Sequence, residues 1–148
     1  MKYFTFSDRI LLTFWVGSLW SIGYIAAPTL FAMLENRQLA GELAGQMFHI
    51  MNYLGLFCGV LLVINQLVRK NLHWQLWTMI AMIVLLACNE FVIQPMMHEL
   101  KDSGLVEGSD AMRQFGRLHG VSAVMHMTAS LLGLIVVSVG LNTVNEKS

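Results

Sequence analysis

The chain has 148 residues and a mass of 16.6 kDa, the size of one domain. Its residues are 56% hydrophobic and 12% charged, and nine Lys and Arg balance nine Asp and Glu. A soluble domain carries about 25% charged residues, so the composition argues against a soluble enzyme or a disordered chain, and the lack of basic excess argues against a nucleic-acid binder.

Charge is confined to the edges of four blocks. Residues 10–34, 43–68, 71–89 and 118–145 contain no Asp, Glu, Lys or Arg. A helix needs about 20 residues to cross a hydrocarbon core of about 30 Å, whereas a barrel strand needs only about 9–11. The blocks are continuously apolar rather than alternating, so helices are expected, each satisfying its own backbone. The fold class is therefore all-α, an integral membrane four-helix bundle. It forms a single domain over residues 1–148, with spans near 10–34, 46–68, 73–95 and 117–141. The first apolar run is longer than the about 7–15 residues of a signal-peptide core, so it counts as a span. Four spans put both termini on one side of the membrane.

Span one carries Gly17 and Ser21 one turn apart, then Pro28 near its far end. A short polar loop is expected over residues 35–42. Span two carries His49 and Asn52 on one face, then Gly55 and Gly59 in the small-xxx-small spacing that lets helices approach closely. Arg69, Lys70 and Asn71 read as a tight turn, so spans two and three should form an antiparallel hairpin, with Trp74 and Trp77 at the membrane interface. Span three ends with Asn89, Glu90, Gln94 and Pro95. Glu90 is read as the one acidic side chain embedded in an apolar segment, and intramembrane carboxylates are functional hypotheses by default. Its bland partner would be Arg113 or Arg117 at the interface. The longest connection spans residues 98–117, where Ser109 or Asp110 could cap a helix that protrudes before becoming span four. Span four carries His119, Ser122 and His126, then Ala129 and Gly133 at the same small-residue spacing. These small residues are read first as internal packing of the bundle and second as a dimer face.

Eleven methionines invite a copper reading, since thioether and imidazole suit Cu(I). Helical geometry weakens it. Residues two apart point about 200° from one another, so His49 looks away from Met47 and Met51, and His126 diverges from Met125 and Met127. Only Met96-Met97-His98, beyond a proline, leaves room for convergence. Cys58 and Cys88 lie at different depths and are expected to be free thiols.

The order Trp15-Val16-Gly17-Ser18, Tyr24, Ala26-Ala27-Pro28, Leu30-Phe31, with Ala40-Gly41, residues 45–48, residues 89–95 and Leu118-His119-Gly120, resembles a small four-span bacterial membrane family of unknown function related to transmembrane protein 205. That group is distantly similar to the membrane domain of copper-resistance protein D. The resemblance covers nearly the whole chain. It implies a four-helix bundle of the bacterial inner membrane and supplies no reaction and no copper ligand.

The residues place His49, Glu90 and His119 in one half of the bundle, supported by Asn52, Asn89, Gln94, Arg117, Ser122 and His126. His119 and His126 are seven residues apart, about 10 Å along the axis, and cannot share one metal. The expected function is a membrane protein with a polar His/Glu pocket in the non-cytoplasmic half, suited to haem b or a copper ion. The alternative is a non-enzymatic subunit or transporter-like module acting through a protein partner or lipid. No phosphate loop, nucleophile elbow or zinc-protease motif is present, so catalysis is not expected. Partners are the lipid bilayer and a second membrane protein or second copy. The side holding the termini carries Lys2, Arg9, Arg69, Lys70 and Lys147, against Arg37, Lys101, Arg113 and Arg117 opposite. That bias puts both termini in the cytoplasm.

Overall fold

The computed structural model describes residues 6–140 except Asn71 and Glu107. Among the described residues every regular element is helical. Four helical spans run over Phe6–Met33, Arg37–Val68, Trp74–Asp102 and Asp110–Val139, with 28, 32, 29 and 30 residues and mean hydropathy between 1.6 and 2.1. Helical rise makes them about 42–48 Å long, against a hydrocarbon core of about 30 Å. The chain is a multi-pass membrane protein with an all-α four-helix fold. Each span packs on the next, and span four closes against span one. One end of the bundle, the loop end, holds residues 34–36, 103–106 and 108–109. The other, the turn end, holds Phe6 and the Arg69–Lys70 turn.

Two of the helices, spans two and four, start ahead of their apolar blocks, where polar side chains cap them. Span two begins at Arg37, where Asn36 accepts from the N–H groups of Gln38 and Leu39. The expected loop over 35–42 thus shrinks to a turn. Span four is capped as expected by Ser109, whose hydroxyl accepts from the Met112 N–H. The Arg69–Lys70 turn uses Lys70 at φ 55°, and Asn71 lies outside the described residues.

Pro28 and Pro95 do not stop their helices. Proline lacks an N–H and its ring crowds the carbonyl four residues back. Here the preceding turn widens to π-helical geometry, over Ser21–Ala26 and Asn89–Ile93. The Ala27 N–H bonds to Ile22 O, and the Gln94 N–H bonds to Asn89 O. The helices then continue to Met33 and Asp102. Met96, Met97 and His98 consequently sit on regular helix, with Met97 buried and Met96 exposed. The one methionine string that could have converged is spread around a helix.

The core is built around Trp15. It is fully buried with Leu19, Met51, Leu62, Met79, Met82 and Val136. Gly55 and Gly59 make the room: a Cβ on either would lie 2.7 Å from the Trp15 indole. Gly133 does the same for Val16, at 2.9 Å, and Ala129 is fully buried. These small residues are internal packing. Gly17 differs. Nothing lies within 4 Å of the Cβ it lacks, so Gly17, expected at a helix contact with Ser21, faces outward from the bundle.

Candidate functional site

Two spans bring the central polar residues together. His49 on span two and Glu90 on span three each lie twelve residues from the loop end of their helices, about 18 Å by helical rise. Equal depth on antiparallel neighbours is what lets them meet. His49 Nδ1 pairs with Glu90 Oε1. Asn52, one turn below His49, donates from Nδ2 to Glu90 Oε2 at 2.8 Å. The Glu90 side chain is 3% exposed and the His49 side chain 53%. A buried carboxylate thus grips one edge of a half-exposed imidazole. Glu90 also falls inside the π turn ahead of Pro95, and such turns are frequent at functional positions.

The pairing leaves two orphan acceptors. Among the described residues, Asn52 Oδ1 and Asn89 Oδ1 are buried without a hydrogen-bond partner. Each costs about 1–3 kcal/mol in an interior. Gln94 is half-buried beside this turn.

His119 does not join. It is exposed and stacks on Phe115 of its own helix, centroids 6.3 Å apart. The reason is register. Span four protrudes at the loop end, as its cap anticipates, so the residue level with His49 is His126. Its ring meets that of Phe48 at 5.2 Å and that of Tyr24 at 5.8 Å. His119 lies seven residues higher, about 10 Å. The same offset removes the arginines from Glu90. Arg113 approaches Asp110 at 3.8 Å on the exposed surface, and Arg117 is exposed.

His126 forms a second polar centre with span one. Its ring presses on Gly23 in the first π turn, and its Nε2 is buried with no hydrogen-bond partner among the described residues. Beneath it, Tyr24 Oη and Ser130 Oγ are 2.7 Å apart, and Trp20 Nε1 donates to Ser130 O at 3.2 Å. Ser122, one turn above His126, is half-buried.

A third centre at the turn end was missed from the sequence. Asp8 is fully buried. Arg69 Nη1 donates to Asp8 Oδ2 at 2.8 Å and Asn65 Nδ2 donates to Asp8 Oδ1 at 3.0 Å. Gln66 and Gln75 are buried at the same end. Asp8 lies outside the charge-free block and so reads as flank. The usable signal was the pair Asn65 and Arg69, one helical turn apart at the end of span two, level with residue 8 of span one.

Among the described residues, no three His, Cys, Asp or Glu side chains come together as a metal site. Cys58 and Cys88 are free, as expected. The family model for a domain of unknown function, DUF4149, matches residues 10–105. The chain belongs to the DUF4149 family. No curated protein and no solved structure matches it. The DUF4149 match takes in spans one to three and hence both π turns, the His49–Glu90–Asn52 cluster and the Asp8-facing segment of span two.

Proposed function

We propose that this DUF4149 protein is a non-enzymatic membrane subunit whose contact point is His49. The observation that carries the reading is the asymmetry of the pair: a buried carboxylate on Nδ1 of a half-exposed ring. A carboxylate that accepts from Nδ1–H fixes the tautomer and leaves Nε2 as the free nitrogen. Tyr53 meets that ring edge-on, centroids 4.8 Å apart, and Phe91 meets Tyr53 at 6.3 Å, and both aromatics are exposed. An imidazole edge facing hydrocarbon gains from any hydrogen-bond or coordination partner, and aromatic neighbours supply the apolar rim of a contact.

The partner is a second membrane protein or a second copy. It brings either a hydrogen-bonding group or an iron or copper centre for which His49 is one ligand. The donor set within one chain, one imidazole and one carboxylate, does not fit a closed copper or bis-histidine haem site, so in this reading any metal arrives with the partner. The bacterial inner membrane, with the turn end in the cytoplasm, is the setting that the resemblance and the Lys and Arg distribution favour.

A photo-crosslinking residue at Tyr53, with another at exposed Ala81 as control, tests this in cells. A single protein adduct from position 53, absent from position 81 and lost on His49→Ala, is expected. A visible spectrum and metal analysis of that adduct decide between the hydrogen-bonded and metal-bearing arms. Identical adducts from both positions, unaffected by His49→Ala and Glu90→Gln, would overturn the reading.

A further inference from the structure

The outward face of span one carries a groove that none of the polar centres uses. It encloses about 490 Å³ and is lined by Arg9, Ile10, Thr13, Phe14, Gly17, Ser18, Ser21 and, from span two, Leu54. Gly17 is its floor, with open space where a side chain would stand. The hydroxyls of Thr13 and Ser18 are spent on their own helix, on Arg9 O and Trp15 O, each at 2.8 Å. They add no polar demand to the wall, which is chiefly apolar. The one strong polar group is Arg9, at the mouth.

Arg9 and its neighbour Asp8 face opposite ways. Asp8 is buried against Arg69 and Asn65, while Arg9 is exposed and its guanidinium pairs with no carboxylate among the described residues. Lys70 is exposed at the same end. Among the described residues, the turn end therefore shows two exposed cations, Arg9 at the groove mouth and Lys70, beside the buried Asp8–Arg69 pair. From Arg9 to Ser21 is twelve residues, about 18 Å by helical rise, close to one leaflet, which is about half of the ~30 Å core.

The geometry points to a seat for one anionic phospholipid, its phosphate on Arg9 and one acyl chain lying over Gly17 as far as Ser21 and Leu54. A guanidinium at the headgroup level over an apolar slot one leaflet deep matches both halves of such a molecule. A soluble phosphate would use the mouth and not the slot. A second copy of this chain would fill the slot without needing a negative charge at the mouth.

Native mass spectrometry of the purified full chain with equimolar phosphatidylglycerol and phosphatidylcholine of identical acyl chains tests the seat. Wild type should retain phosphatidylglycerol with a preference of about fivefold, the size expected of one arginine at an anionic surface. Arg9→Gln should lose the preference and still hold lipid. Gly17→Leu, at a position with room for a side chain, should fold normally and lose both lipids; Ser21→Leu repeats the test one turn deeper. Excess inorganic phosphate should not displace the retained lipid. Equal retention of the two lipids by wild type, or full retention in both groove variants, overturns the proposal. So does a wild-type dimer that Gly17→Leu converts to monomer, which would make the occupant a second copy.

Discussion

Gly23 and His126 compete for one space. A Cβ on Gly23 would fall 2.9 Å from His126 Cδ2 and closer still to Nε2. The π turn of span one and the imidazole of span four are thus fitted to each other, which gives Gly23 a packing role that its place in an apolar block does not announce. Gly23→Ala should cost about 1–3 kcal/mol as an overpacked interior site. Gly23→Ala combined with His126→Ala should lose less than the sum of the two changes. Thermal melts of the purified variants read both quantities, and strict additivity would separate the two residues.

Trp15 supplies a second prediction. Its indole lies over Gly55 and Gly59, so Gly59→Leu should disrupt folding or strongly lower thermal stability. Ala81→Leu, at an exposed position on span three, should not. A Gly59→Leu protein as stable as wild type and of the same size would move this stripe to the lipid face.

Much of the fold was legible because the bilayer imposes one dominant rule. Charge-free blocks about as long as the core or longer mark the spans, and the Ser109 cap and the Arg69–Lys70 turn follow from short-range chemistry. The lengths of spans two and three were not legible. Asn36 and the π turn before Pro95 carry helix through residues that read as loop, and a proline in sequence does not say whether the turn before it will widen. The pairing of His49, Asn52 and Glu90 could be foreseen, since all three fall at one depth on adjacent antiparallel helices. His119 was misplaced because the axial shift of span four depends on how far its capped end protrudes. Seven residues of slip, about 10 Å, exchanged His119 for His126. Asp8 was missed for the converse reason: a residue counted as flank is buried, because the helices overrun the core and pack beyond it.

That buried acid makes a third prediction. Asp8 holds Asn65 and Arg69, and removing one partner of a buried ion pair costs about 3–5 kcal/mol. Asp8→Ala should approach that range. Arg69→Gln should cost at least as much, because it takes the Arg69 counter-charge from the fully buried Asp8 carboxylate, whereas Asp8→Ala leaves an Arg69 side chain that is 30% exposed and can reach water. Equal and negligible losses in melting temperature would show that the pair adds nothing to the bundle.

Orientation gives a fourth. With the turn end in the cytoplasm, a cysteine at Ser103 in a background lacking Cys58 and Cys88 should react with an impermeant thiol reagent in intact cells. A cysteine at Lys70 should react only after lysis. The reverse pattern would turn the protein over, and would place the Arg9 groove in the outer leaflet.

The last prediction concerns what holds His49. Glu90 accepts two bonds, one from each of two side chains on span two, so its loss strips partners from both. Glu90→Ala should therefore be the most damaging single change in the cluster. His49→Ala removes a ring that is already half-exposed and leaves Asn52 on the carboxylate, so it should be milder. A buried carboxylate that loses a donor in an apolar interior is left costly. His49→Gln, which keeps a donor but not the ring, should accordingly recover part of the stability lost in His49→Ala. Double-mutant cycles between positions 49 and 90 and between 52 and 90 measure these links directly. Coupling should exceed about 0.5 kcal/mol in both, the lower end for residues in one hydrogen-bond network. If position 49 shows no coupling to position 90 while position 52 does, the carboxylate serves the helix contact alone and His49 is not held by it.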